Sequence, residues 1–360
     1  MHDEICRRRL AGQFLTTVGP ETGAEVVRAL GAVQAQDYAG AKWAVAQRTT
    51  GRTDAEIERE LEAGQILRTH VLRPTWHYVV PADIRWMLEL TGPRVSAMMA
   101  PVNRRLELDR ALYRRAYRVF TKTLASGNCL TRSELGAHLE RAGVSGASGQ
   151  RLGHLMMQAE LDRVVCSGPR RGKQFTYALL DERAPMAPSL PRDEALAELS
   201  RRYFARRGPA TPRDFAWWSG LTVADAKRGI ALLGPALQRL KSGDTDHWIA
   251  ADAPRLTRRS ASAHLLPNYD EYFIGFRDRS AIGQRVRATS TVTGANALIP
   301  HVLVVDGELV GIWRRAFEKD RVVVSLEPHT SLTTREQARL TAEARRFGRF
   351  LETPVEVRVV

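Results

Sequence analysis

Two glutamines, Gln34 and Gln36, stand one residue apart in GAVQAQDYAGAKWAV, residues 31–45, among small apolar neighbours. A primary amide has one acceptor oxygen and one NH2 donor and does not titrate near neutrality. It is therefore no general base. It can still orient a water molecule and set its carbonyl oxygen against positive charge that develops in a transition state. Cooperation between the two has a geometric condition. On an α-helix, residues i and i+2 diverge by roughly 200°, whereas on an extended segment they share a side. The alternative reading is that the pair caps or bridges neighbouring helices as satisfied polar residues.

The flanking elements favour an irregular junction. Val26, Val27, Leu30 and Val33 recur at helical spacing after Thr22, a candidate N-cap, and Gly31 lies where that helix can end. AGAKWAVAQR, residues 39–48, reads as the next helix. Asp37 follows the pair directly and is a stronger base than either amide, but its one-residue offset turns it away from them on an extended chain. A role as cap of the following helix is the competing assignment.

The whole chain bounds the class of protein. Its 360 residues suggest two to four folding units, and 44% hydrophobic with 26% charged residues is ordinary for a globular protein. No apolar run approaches the roughly 20 residues of a membrane span. The amino-terminal MHDEICRRRLAGQFL lacks the apolar core of a secretory signal, so a cytoplasmic location without membrane association is expected. Cys6, Cys129 and Cys166 form no CxxC or Cys/His cluster, and the nine histidines show no HExxH spacing, so neither disulfides nor metal nor another cofactor is expected. The formal net charge of +14 is carried mainly by arginine. Basic clusters recur at Arg7–Arg9, Arg104–Arg105, Arg114–Arg115, Arg170–Arg171, Arg206–Arg207 and Arg258–Arg259, which points to a polyanionic partner, nucleic acid first. A merely soluble arginine-rich surface is the alternative.

One plan repeats along the chain. In residues 111–185 a helix (YRRAYRVFTKTLA) leads to CLTRSELGAHLERAG, where Thr131 and Glu134 have capping-box spacing. A further helix, SGQRLGHLMMQAELD, precedes two short strands, RVVCSGP and KQFTYALL, that flank a basic turn at Arg170 and Arg171. Three helices closed by a two-stranded wing make a winged helix, a variant of the helix-turn-helix. Residues 190–255 repeat the pattern after a proline-rich linker at 181–194, and residues 1–110 give a more divergent copy with the strand pair LRTHVLR and TWHYVVP. Residues 256–360 turn β-rich, with Asp306-Gly307 a hairpin signal and a late helix and strand. The fold class expected is α+β, mainly α: tandem winged helices followed by a β-rich domain.

VQAQD, LRPTWHYVVPADIRWML, HLLPNYDEYFIGFRDR and VVDGELVGIWRR together resemble the winged-helix DNA-binding superfamily that includes the AlkZ and AlkX (YcaQ) DNA glycosylases. The resemblance spans nearly the whole chain. It implies a C-shaped molecule with a β-barrel-like C-terminal domain and a basic concave face for double-stranded DNA, and excision of alkylated purines, with some members unhooking interstrand crosslinks. The family motif is Gln-x-Gln in the AlkZ branch and Gln-x-Asp in the AlkX branch. Gln34-Ala35-Gln36 matches the former, so the resemblance makes Gln34 and Gln36 catalytic and argues against close kinship with the AlkX branch. A monomeric, nucleoid-associated repair enzyme is the corresponding expectation.

Amide chemistry then narrows the substrate. N7-alkylguanine and N3-alkyladenine carry a formal positive charge and leave as neutral bases, so water positioning and charge complementarity can suffice. Neutral lesions leave poorly. Lys42 is weak support for lyase chemistry, and a monofunctional enzyme that leaves an abasic site is expected. Thr75 and His77 in RPTWHYV are candidate DNA or lesion contacts, or else pack a strand against a helix; Trp76 and Tyr78 face the other way by strand alternation. Asp270 and Glu271 in NYDEY either orient arginines or line the lesion pocket, and Arg277, Arg279, Arg170 and Arg171 are candidate phosphate contacts. At least one of Trp217 and Trp218 is expected in the core. Two other readings stay open: a non-catalytic winged-helix regulator that tolerates Gln34→Ala, and a protein-interaction scaffold.

Overall fold

Local signals set the helix ends throughout the chain. Thr22 and Glu25 close a capping box ahead of helix Gly23–Leu30, which stops at Gly31 with φ of 83° and leaves Val33–Gln34 extended. Thr131 with Glu134, Thr222 with Asp225 and Thr333 with Glu336 repeat the same reciprocal cap at three later helices. The computed structural model describes residues 2–253, 256, 261–286 and 300–360, so the Arg258–Arg259 cluster lies outside the described residues. The chain sorts into two units: 1–58, 197–218 and 222–360 make the first, and 59–196 with 219–221 the second.

In the first unit, helix Tyr38–Ala46 follows the extended segment and is buried on nearly every side. Its Trp43 packs on Phe347 and Phe350, with ring centroids 5.2 and 5.1 Å away, and donates its indole N–H to the Leu265 carbonyl at 2.7 Å. Helices Pro212–Ser219 and Val223–Leu233 precede an antiparallel hairpin, Leu237–Ser242 with Thr245–Ala250. The β-rich part is a five-stranded sheet. Ala263–Leu266, Val302–Val305, Glu308–Phe317 and Val322–Pro328 pair antiparallel in sequence order. Helix Thr334–Phe350 then carries the chain across to Val355–Val359, which adds parallel to Val322–Pro328. Among the described residues Ala263–Leu266 and Val355–Val359 are thus the two outer strands and do not pair with each other. This part is β-rich as expected, but among the described residues its sheet is not closed into a barrel. Asp306 and Gly307, with φ of 51° and 88°, form the expected two-residue hairpin turn.

The second unit holds the hairpin Leu67–His70 with Trp76–Val79, the 25-residue helix Pro81–Arg105 and a winged helix. The winged helix comprises helices Arg110–Leu124, Arg132–Arg141 and Gly149–Leu161. Phe120, Leu124, Leu135, Leu139, Leu155 and Met156 form its core. The wing has three strands rather than two, because Leu130–Thr131 adds to Thr176–Leu179, which also pairs with Val165–Ser167. No helix among the described residues is long and apolar enough to cross a membrane.

Candidate active site

Gln34 and Gln36 lie off helix, at the junction between helices Gly23–Leu30 and Tyr38–Ala46. Gln34 is buried and Gln36 exposed, with Ala35 fully enclosed between them. The backbone of this short segment is gripped from within the same unit. Glu271 Oε1 accepts the main-chain N–H of Gln34 at 2.9 Å. Arg207 donates to the Leu30 and Ala32 carbonyls at 2.8 and 3.2 Å and pairs with Glu271 Oε2 at 2.5 Å. The same Glu271 oxygen accepts the Trp218 indole N–H at 2.9 Å, and the Arg207 guanidinium lies 4.3 Å from the centre of the Trp218 ring. Arg207 and Glu271 are fully buried, so removal of either leaves the other buried without its ion-pair partner. Gly275 leaves room for the pair: a Cβ at that position would stand 2.4 Å from the Glu271 carbonyl oxygen and 3.1 Å from Arg207 Cδ.

A second buried ion pair braces the following helix. Arg48 makes two bonds to the Asp270 carboxylate, at 2.7 and 2.8 Å, and a third to the Ala44 carbonyl at 2.7 Å. Asp270 also caps the short helix Glu271–Ile274 by accepting from the Tyr272 N–H. Asp270 and Glu271, expected either to orient arginines or to line a lesion pocket, are fully buried, each paired with a buried arginine.

Asp37 is the N-cap of helix Tyr38–Ala46, accepting from Gly40 N–H at 3.1 Å through one oxygen and from Arg315 at 3.1 Å through the other. Its carboxylate is committed to structure. Lys42 is equally engaged: its ammonium meets Asp54 at 2.8 Å and Glu58 at 2.6 Å. Burial and Arg315 push the His301 imidazole down to about 4, with Asp37 opposing, and its Nδ1 accepts the Asn268 N–H at 2.9 Å. His264, fully buried near Arg346 and Arg48, is pushed down to about 3. Both rings are neutral at physiological pH.

The arginines expected to meet phosphate divide. Arg277 is exposed and lines a groove of about 570 Å³ together with Arg213, Lys227 and Trp248. Arg279 is buried: its guanidinium lies 4.5 Å from the Phe273 ring centre and its Nε–H donates to the Phe273 carbonyl at 3.0 Å, so packing replaces the expected phosphate contact. Arg207, grouped by composition with the polyanion-attracting clusters, is likewise internal. Trp218 is core and Trp217 is partly exposed, its indole N–H donated to the Ile274 carbonyl.

The remaining candidates belong to the second unit. His77 is fully buried on strand Trp76–Val79, opposite Thr69, and its Nδ1–H donates to the Thr75 carbonyl at 2.9 Å. Thr75 is half-buried with its hydroxyl enclosed. Tyr78 is also fully buried, so alternation does not divide this strand into an inner and an open face. Arg171 stays exposed on the wing, bonded to Glu134 at 2.7 Å and to the Cys129 carbonyl at 2.8 Å. Arg170 sits 5.4 Å from the Phe175 ring, which Arg68 also approaches at 4.6 Å; Arg68 in turn lies 4.2 Å from Trp76. Sequence reading missed Arg48, Arg207, Arg315 and Arg68. An Asp-Glu pair inside the otherwise apolar LLPNYDEYFIGF was the available signal, since acids in such a run need buried cations.

Residues 27–350 match the family model described as DNA glycosylase AlkZ-like. An interstrand DNA cross-link repair glycosylase from Streptomyces sahachiroi is 26% identical over 325 residues, 85% of each chain. The solved structure of the Streptomyces sahachiroi DNA glycosylase AlkZ superposes with a TM-score of 0.83 over 99% of both chains at 24% identity.

Proposed function

The chain belongs to the AlkZ-like DNA glycosylase family, and from that premise we propose that it hydrolyses the N-glycosidic bond of cationic alkylated purines in double-stranded DNA. N7-alkylguanine and N3-alkyladenine are the substrate class, extending to bulky or crosslinked adducts such as the relative's name indicates. Gln34 and Gln36 hold the attacking water and face the sugar as it gains oxocarbenium character. The bond from C1′ to the purine nitrogen breaks with its electron pair going to the base, which departs neutral. The water oxygen bonds C1′, its surplus proton passes to solvent, and an abasic site remains.

The observation that supports this reading best is the clamp on the Gln-x-Gln backbone: Glu271 and Arg207 fix residues 30–34 at three points in a non-helical course. Catalysis by uncharged amides rests on preorganised geometry, and a fixed backbone supplies it. The involvement of Asp37 in a helix cap and an ion pair leaves the amides as the water-positioning groups. Lys42, held between two carboxylates, supports monofunctional hydrolysis without a Schiff base. The enzyme acts as a monomer in the cytoplasm on this reading.

The test is incubation of purified protein with duplex DNA carrying 7-methylguanine, scoring abasic sites by alkaline cleavage. Wild type should turn over and the Gln34→Ala/Gln36→Ala double variant should not. Turnover undiminished in the double variant, or release of neutral lesions as fast as of 7-methylguanine, overturns the assignment.

A further inference from the structure

Helix Arg110–Leu124 opens the winged helix of the second unit and buries Ala116, Phe120 and Leu124. On its outer side Arg110, Arg114, Arg118 and Lys122 stand four residues apart, all exposed, with Arg115 alongside. RALYRRAYRVFTKTL contains no Asp or Glu. Among the described residues none of the four spaced cations makes a side-chain hydrogen bond or ion pair. Elsewhere several arginines are paired with acids on their own helix or turn, the half-buried Arg8 and Arg52 with Glu4 and Glu56, and the exposed Arg201 and Arg321 with Glu198 and Glu318. Like charges at i and i+4 destabilise an isolated helix, so this stripe is nothing the winged-helix fold itself calls for. Arg114, Arg115, Arg118 and Lys122 line a shallow groove of about 750 Å³ together with Ala111, Tyr117 and Thr121.

The helix that a helix-turn-helix lays in the major groove is placed quite differently here. Helix Gly149–Leu161 buries Leu152, Leu155, Met156, Ala159 and Leu161. It packs on helix Pro81–Arg105 and strand Leu67–His70 as well as on its own wing. Its one arginine, Arg151, donates to the Leu106 and Ser145 carbonyls. Base reading needs side chains that project freely from that helix, and here Arg151, His154, Gln158 and Glu160 are engaged within the unit, which leaves Gln150 as the exposed polar side chain of the helix.

We propose that this winged helix engages duplex DNA through the phosphate backbone, with its first helix as the contact and without base readout by its third. The stripe is roughly 18 Å long at the helical rise, over which one strand presents about five phosphates. Four spaced cations suit such a row, and backbone contact carries no sequence preference, which matches an enzyme that must recognise damage rather than sequence. The inference rests on the reading of the chain as a DNA-acting enzyme.

The test compares two quadruple variants of the full chain. R110Q/R114Q/R118Q/K122Q removes the stripe with a residue of similar helix propensity. K319Q/R335Q/R345Q/R349Q removes the same charge from exposed positions elsewhere. Affinity for a short undamaged duplex is measured by fluorescence anisotropy across a salt series. The stripe variant should bind about tenfold or more weakly at low salt, and its log affinity against log salt should be shallower by about three, while the control keeps a slope near wild type. Its thermal midpoint should not fall. A wild-type slope in the stripe variant, or an equal loss in the control, overturns the proposal. Base release from 7-methylguanine DNA is scored in parallel with wild type. Steep salt-dependent binding without base release would refute the glycosylase reading and leave the stripe judged on its own slope.

Discussion

Glu271 accepts the main-chain N–H of Gln34 at 2.9 Å although the two residues lie 237 positions apart. The bond ties the β-rich end of the chain to the segment that carries the two amides. Glu271 works through Arg207 as well, since its other oxygen holds the guanidinium that grips Leu30 and Ala32.

The Glu271→Gln variant should therefore separate chemistry from binding. An amide can accept on only one side, so either the Gln34 N–H or Arg207 loses its acceptor. A hydrogen bond to a charged group is worth about 1.5–3 kcal/mol, which corresponds to a single-turnover rate lower by about 10- to 100-fold, with duplex affinity near wild type. Glu271→Ala should go further and destabilise the fold by about 3–5 kcal/mol, because the Arg207 charge is left buried alone. Chemical denaturation and single-turnover base release measure the two effects. A full-rate Glu271→Gln enzyme would remove the clamp from the catalytic argument.

Asp37→Asn addresses the rival general base. Asparagine caps a helix about as well as aspartate, so the helix Tyr38–Ala46 should remain, with the Arg315 ion pair lost. The base-release rate should stay within about threefold of wild type, and its pH profile should be unchanged. A loss of several hundred-fold, typical of a missing general base, would transfer the water-activating role from the amides to Asp37.

The readable and unreadable parts of the chain divide by sequence range. Thr22 as an N-cap, Thr131 with Glu134 and the Asp306-Gly307 turn are set by neighbours within three residues, and all were legible; the part Glu25 plays in closing the first cap was not read. The off-helix course of Val33–Gln34 followed from a helix stop at Gly31, and Asp37 as a cap from its offset. Burial of charge was not legible. Arg207 looks like one more surface arginine until Glu271 and Trp218 are brought against it, and Arg279 looks like a phosphate ligand until Phe273 covers it. The strand order of the five-stranded sheet was equally hidden. It depends on the last strand joining parallel to Val322–Pro328, a pairing that no local motif announces.

Buried neutral histidines set the acid limit of the first unit. Burial holds His264 down to about 3 and His301 down to about 4, whereas both titrate near 6.5 in the unfolded chain. Between the folded and unfolded values the unfolded chain binds more protons, so the stability these rings allow is complete above about pH 6.5 and falls as pH drops toward 4. Each contributes a slope of up to about 1.4 kcal/mol per pH unit in that window. Urea unfolding at a series of pH values should show the decline, and His264→Asn should flatten it. A stability that stays level down to pH 4 would contradict the burial of uncharged rings.

Lys42 provides the sharpest separation between lyase and hydrolase chemistry. Its ammonium is 2.8 Å from Asp54 and 2.6 Å from Glu58, and Tyr38 donates its hydroxyl to the same Glu58. A Schiff base requires an amine free to attack the sugar carbon, and this one is held between two carboxylates. Borohydride added during turnover should trap no covalent protein–DNA complex. Lys42→Met should still release base and leave an intact abasic strand, while losing about 1–3 kcal/mol of stability because Asp54 and Glu58 lose the cation they share. A borohydride-trapped complex in wild type that disappears in Lys42→Met would instead make Lys42 a nucleophile, and the enzyme bifunctional.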